Sequence, residues 1–152
     1  METGATLPDV TVMQADGAPL ALRSLIGAPA VIYFYPKADT PGCTREAEDF
    51  TALADQFATA DVVVLGVSKD PPGKLAKFAA KRALTVRLAS DESGAACEAF
   101  GVWGEKQLYG RTYMGVERAT FLFDRDGRLA REWRKVKVPG HAEAVLAAAR
   151  AL

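Results

Sequence analysis

The chain has 152 residues, 49% hydrophobic and 25% charged, which is enough to bury a sizeable core in one domain spanning 1–152. Its 19 basic side chains balance 19 acidic ones, so net charge gives no support for nucleic acid or an anionic membrane as partner. The N-terminus lacks a basic segment followed by an apolar stretch, no apolar run approaches the ~20 residues that cross a bilayer, and the two cysteines make no disulfide framework, so a cytoplasmic home is expected.

In chain order, 9–22 reads as an N-terminal hairpin around Asp16-Gly17. The run AVIYFY, 30–35, is apolar, β-branched and aromatic, as in a strand buried on both faces of a parallel sheet. From Thr44 to about Ala58, Ala47, Phe50, Leu53, Ala54 and Phe57 fall at helical spacing. A second buried strand follows at 62–67. A helix over 71–84 turns Leu75, Phe78 and Ala79 inward, then come a short strand at 86–90 and a short helix at 92–100. ATFLF, 119–123, is a third buried strand, with the DRDG turn leading into an exposed partner strand. The final helix turns Val145, Leu146, Ala149 and Leu152 inward. Strands and helices in this order predict an α/β fold: a central mixed sheet flanked by helices.

The chemistry gathers around Cys43. Thr40 is a good helix N-cap and Pro41 suits the first helical position, which places Cys43 in the first turn. Amides there lack intrahelical acceptors, and the dipole presents partial positive charge, so an anionic sulfur is favoured over a thiol. An ordinary thiol is only about 3% ionised at pH 7, and helix N-termini can make a cysteine mostly thiolate. Many free cysteines are small buried hydrophobes instead. The strand–Pro36–Thr40–Pro-Gly-Cys43–helix arrangement favours reactivity.

The stretch YFYPKADTPGCTREAEDF, 33–50, resembles the active-site segment of peroxiredoxins, in the bacterioferritin-comigratory-protein or peroxiredoxin Q group. The family pattern falls on Pro36, Thr40 and Cys43. The stretch 100–129 resembles the same group's downstream half, and its arginine before the TFLF strand matches Arg118. The resemblance implies a thioredoxin-like fold and a thiol-dependent peroxidase acting on hydrogen peroxide and organic hydroperoxides. Thr40 then stands where a Cys-x-x-Cys motif has its first cysteine, which argues against a dithiol reductase.

On that resemblance Cys43 attacks the peroxide and becomes a sulfenic acid. Thr40 hydrogen-bonds both peroxide oxygens, Arg118 supplies a fixed cation, and Pro36 shields the sulfur. Glu46 either orients Arg118 or is a solvated first-turn glutamate. His141 is read as structural, and Trp103, Tyr109 and Tyr113 as core packing rather than as lining of the pocket. No cofactor or metal is expected, since one histidine and two distant cysteines make no zinc pattern.

The group's usual resolving positions carry Glu48 and, by alignment, Ala79. Cys97 remains. Read as a buried core thiol, it leaves a one-cysteine enzyme recycled by an external thiol such as thioredoxin, glutaredoxin or glutathione. The alternatives are a two-cysteine enzyme resolved by Cys97, or a redox-sensing module without efficient turnover. A monomer or weak homodimer is expected.

Overall fold

Ala30–Phe34 form a strand in which all five residues are buried, and its two faces organise the rest. The computed structural model describes residues 1–152. In chain order its elements are β1 (Thr11–Gln14), β2 (Pro19–Ala21), β3 (Ala30–Phe34), α1 (Pro41–Ala52), α2 (Ala54–Thr59), β4 (Val63–Ser68), α3 (Pro72–Arg82), β5 (Arg87–Ser90), α4 (Ala95–Ala99), β6 (Trp103–Leu108), β7 (Arg111–Val116), β8 (Ala119–Phe123), β9 (Leu129–Trp133) and α5 (His141–Arg150).

Seven strands form a mixed sheet in the order β2-β1-β5-β4-β3-β8-β9. Helical crossovers return the chain to the same end of the sheet, so β3, β4 and β5 run parallel. The β8–β9 and β1–β2 pairs need only turns and are antiparallel. The fold is thioredoxin-like with an N-terminal hairpin. One expectation needs correction: β3 is parallel to β4 but antiparallel to β8, so its apolar run reflects burial on both faces rather than a purely parallel setting.

Alternate side chains of β3 enter two separate cores. Val31 and Tyr33 join Cys43, Ala47 and Phe50 beneath α1, α2, α3 and α5. Ile32 and Phe34 join Cys97, Phe100 and Phe121 on the opposite face. Tyr33 stacks on Phe50 with ring centroids 4.6 Å apart. That ring lies across Gly66, where a Cβ would fall 2.5 Å from the Tyr33 ring. Only glycine lets β4 pair beside Tyr33 without displacing it.

Several details differ from the sequence reading. The helix enters at Pro41 as expected, but its apolar face does not run unbroken to Ala58: the helix is interrupted at Leu53. The Leu53 amide is shared between the Asp49 and Phe50 carbonyls, and the chain then turns so that Phe57 packs 5.9 Å from Phe50. Leu152 is exposed, beyond the end of α5. A separate two-stranded sheet, β6 and β7, occupies a stretch for which the sequence suggested no strands. Tyr109 and Gly110 both adopt positive φ, the conformation of a tight hairpin turn. Most side chains of this hairpin are polar or exposed, so no apolar alternation announces it. Trp103 is half-buried, but Tyr109 and Tyr113 are exposed rather than core residues.

Candidate active site

The loop from β3 enters α1 as its residues predict. Thr40 is extended and Pro41 is the first helical residue. The Thr40 carbonyl accepts from the Thr44 amide at 2.8 Å. Proline has no N–H, so the Gly42 and Cys43 amides are the donors left free at this helix end. The Thr40 side chain does not cap, contrary to expectation. Its hydroxyl donates to the Lys37 carbonyl at 2.7 Å, which leaves its lone pairs available as acceptors.

Pairing of β3 with β8 sets Phe34 opposite Ala119. The start of β8 therefore lies beside the end of β3, where the loop to Cys43 begins. That register brings Arg118 to the sulfur across 75 residues of sequence. Its Nη2 donates to Cys43 Sγ at 3.3 Å, and its Nη1 donates to Glu46 Oε1 at 2.7 Å. Gly42 makes room, since a Cβ there would sit 3.2 Å from Nη2. Cys43 is 2% exposed and Glu46 1%. Of the two readings of Glu46, the solvated one is excluded by that burial. Pro36, half-buried, follows Tyr35 at the end of β3.

A sulfur in the first turn of a helix with a guanidinium on it is in the electropositive kind of setting in which cysteines become reactive. The AhpC/TSA family model matches residues 3–132. "Peroxiredoxin Bcp" of Xanthomonas campestris is 45% identical over 151 residues, covering 99% of this chain and 94% of that protein. The chain belongs to the peroxiredoxins, in the bacterioferritin-comigratory-protein group. "Peroxiredoxin Bcp" of Bacillus subtilis is 44% identical, covering 96% of this chain and 93% of that protein. A solved structure of the Xanthomonas campestris bacterioferritin comigratory protein, described for its alkyl peroxide reduction activity, superposes with a TM-score of 0.91 at 44% identity, covering 99% of this chain and 98% of that one.

As a peroxiredoxin, the protein is a thiol-dependent peroxidase, and its surroundings hold the loop in place. Ala38 N–H donates to Asp70 Oδ2 at 2.7 Å, and Ser68 Oγ donates to the same oxygen at 2.8 Å. Lys74 pairs with the other Asp70 oxygen at 3.2 Å. Asp39, at φ 60°, pairs with Lys81 and Arg82 of α3 at 2.8 and 3.2 Å. Exposed pairs of this kind are screened by solvent and contribute little. The half-buried Asp70 contacts therefore carry more of the anchoring.

Burial pushes the Glu46 carboxyl up to about 7, against the lowering effect of the Arg118 guanidinium. The peroxiredoxin's native state therefore holds this proton more tightly than the unfolded chain. The contribution is fully present below the ordinary value near 4.5 and is lost as pH rises through about 7. Comparing wild type with Glu46→Gln by chemical denaturation at several pH values should isolate it. Wild type is expected to lose stability relative to the variant between pH 5 and 7, with a slope on the order of 1 kcal/mol per pH unit. Parallel curves would contradict the assignment.

His141 is at the first turn of α5, its Nε2 2.8 Å from Thr120 Oγ1. Burial, and then the Arg118 charge, push it down to about 4. The ring is packed edge-on between Phe50 and Trp133. Tyr33, whose phenol burial pushes well above its ordinary value, stays neutral beside the site. Cys97 lies in the core on the opposite side of the sheet from Cys43. Burial, aided by Asp91, pushes its thiol well above the usual range. No group of three or more His, Cys, Asp or Glu is placed to hold a metal ion. Sequence reasoning missed Asp70, because an isolated acidic residue carries no local signal of which distant loop it will hold.

Proposed function

We propose that Cys43 is the peroxidatic cysteine, with Thr40, Arg118 and Pro36 completing the site, and that the enzyme is of the one-cysteine type. The Arg118 contact on the sulfur carries the first part. The thiolate attacks one peroxide oxygen in line with the O–O bond. An S–O bond forms, the O–O bond breaks, and its electron pair leaves on the distal oxygen, which takes a proton to become water or an alcohol. The sulfur ends as a sulfenic acid, oxidised by two electrons. Thr40, its own proton held on Lys37, offers lone pairs to the peroxide O–H. Arg118 donates to sulfur and to the developing negative charge. Pro36 contributes shape and excludes water. Hydrogen peroxide and organic hydroperoxides are both substrates on this reading.

The opposite-face placement of the two cysteines supports the one-cysteine mechanism. A disulfide needs Cα atoms within about 7 Å, and a sheet lies between these two. Glu48 occupies one usual resolving position, exposed on α1. Two solved mutants of Xanthomonas campestris peroxiredoxin Q each replace a cysteine by serine, and the spacing of those positions, stepped on from Cys43, falls on Ala79. An external thiol, whether thioredoxin, glutaredoxin or glutathione, then restores the sulfur. The whole chain acts as one domain in the cytoplasm, as a monomer or weak homodimer.

Oxidation with one equivalent of peroxide, followed by intact mass and thiol count, tests this. The expected product carries one added oxygen, keeps the Cys97 thiol, and forms an adduct with an added small thiol. Loss of two hydrogens with no free thiol would instead make Cys97 the resolving cysteine.

A further inference from the structure

At the root of the β6–β7 hairpin is a cavity of about 220 Å³ whose lining includes Gly104, Lys106, Gly115, Glu117 and Lys135. Gly104 and Gly115 are paired across the strands, so the floor has no side chains. Lys106 lies across this floor, and a Cβ on Gly115 would sit 3.0 Å from its Cδ. Glu105 also lines the cavity, but strand alternation sends its side chain to the other face from Lys106.

The charges here do not cancel. Glu117 already accepts from Arg134 Nε and Nη2, both at 3.0 Å, and from the Lys135 backbone N–H at 2.9 Å. Neither the Lys106 nor the Lys135 ammonium is in an ion pair. Lys106 is half-buried, and its ammonium feels the Arg118 guanidinium against it and the Cys43 sulfur and the Glu117 carboxylate in its favour. Glu117, already engaged by Arg134, adjoins Arg118, whose Nη2 is on the Cys43 sulfur. A partly desolvated cation set close to another cation and making no ion pair of its own is costly. A bound anion removes that cost.

We propose that this cavity is a carboxylate subsite for a small anionic thiol, held by Lys106 and Lys135 while its sulfur reaches oxidised Cys43. The proposal rests on the one-cysteine reading and names its reductant class. The thiolate attacks the sulfenic sulfur, an S–S bond forms, and the S–O bond breaks to release hydroxide, which takes a proton to become water. A second thiolate attacks the mixed disulfide, releases a small disulfide, and returns the Cys43 thiolate. Gly42, next to Cys43 in the first turn of α1, is exposed and carries no side chain of its own.

The test uses full-length protein oxidised with one equivalent of peroxide. Recovery of the Cys43 thiol is timed with 3-mercaptopropionate (anionic), 2-mercaptoethanol (neutral) and cysteamine (cationic), each corrected for its thiolate fraction. Wild type should prefer the anionic over the neutral thiol by about tenfold, the low end of electrostatic steering, and raising ionic strength to about 0.5 M should shrink the preference. The Lys106→Met, Lys135→Met double variant should lose the preference, and Lys106→Arg should keep it. The ratio on each protein cancels any general change in sulfur reactivity. Equal rates in wild type, or an unchanged ratio in the folded double variant, overturn the subsite while leaving the one-cysteine reading standing. A mass loss of two hydrogens before any thiol is added sinks both.

Discussion

Cys43→Ser should consume no hydrogen peroxide above background, a loss on the order of 10⁶-fold, as when other enzymes lose their nucleophile. A serine hydroxyl is not ionised near neutral pH, and oxygen is a poor nucleophile toward a peroxide. The substitution is nearly isosteric, and the guanidinium at 3.3 Å from the sulfur can donate to the new hydroxyl instead. Folding should therefore survive, and circular dichroism with a melting curve checks that it does. Stopped-flow measurement of peroxide loss is the decisive readout. Substantial turnover by a folded Cys43→Ser protein would move the chemistry elsewhere, and Cys97 would be the first place to look.

Arg118→Met should lower the rate constant for peroxide reduction by about 10²–10³, the usual effect of deleting one preorganised charge donor. It should also change stability in a pH-dependent way. The side chain bridges two groups, with Nη1 on Glu46 at 2.7 Å and Nη2 on Cys43 at 3.3 Å. Deleting it leaves the Glu46 carboxylate buried at 1% exposure with no counter-charge; a fully buried pair loses roughly 3–5 kcal/mol in this way, and because Arg118 is itself 17% exposed the loss here should fall below that range. Glu46 already titrates near 7, and without Arg118 it shifts further up. At pH 6 the variant can keep its carboxyl protonated and lose little. At pH 8.5 it must either hold an unpaired charge or hold the proton against the gradient, so the loss should be larger there. Arg118→Met combined with Glu46→Gln should recover stability at pH 8.5 and leave activity low. Arg118→Lys should restore little activity, since one ammonium cannot make the two-armed contact. Equal stability of Arg118→Met and wild type at high pH would show that the bridge is unimportant to the fold.

Much of the proposed site is legible in the sequence because its parts are contiguous. Pro36, Thr40 and Cys43 are on one loop, and local rules for helix starts place Thr40 extended and Pro41 first. The buried strands at 30–34 and 119–123 announced themselves by apolar runs. What was illegible depended on partners. Glu46 could be read as solvated or as a ligand of Arg118 until the β3–β8 register was known. The Thr40 hydroxyl turns to Lys37 rather than capping its helix, a choice made by loop geometry. The β6–β7 hairpin escaped notice because neither of its faces carries an apolar stripe, and the positive φ of Tyr109 was the missing cue. Tyr109 and Tyr113, read as core, are exposed for the same reason: that hairpin is outside the main sheet.

By itself the amino-acid order determined the element that carries the proposed nucleophile: a cysteine in the first turn of a helix that follows a buried strand, with threonine and proline in place before it. Those are short-range preferences of backbone and side chain, and they hold wherever the helix is placed. The tertiary structure alone decided which charges surround the sulfur and on which side of the sheet each cysteine falls. Strand pairing brings Arg118 to Cys43, burial changes the character of Glu46, and the alternation of side chains across the sheet separates Cys43 from Cys97. Coulombic and desolvation effects depend on distance and dielectric in three dimensions, and neither is written in the spacing of residues along the chain.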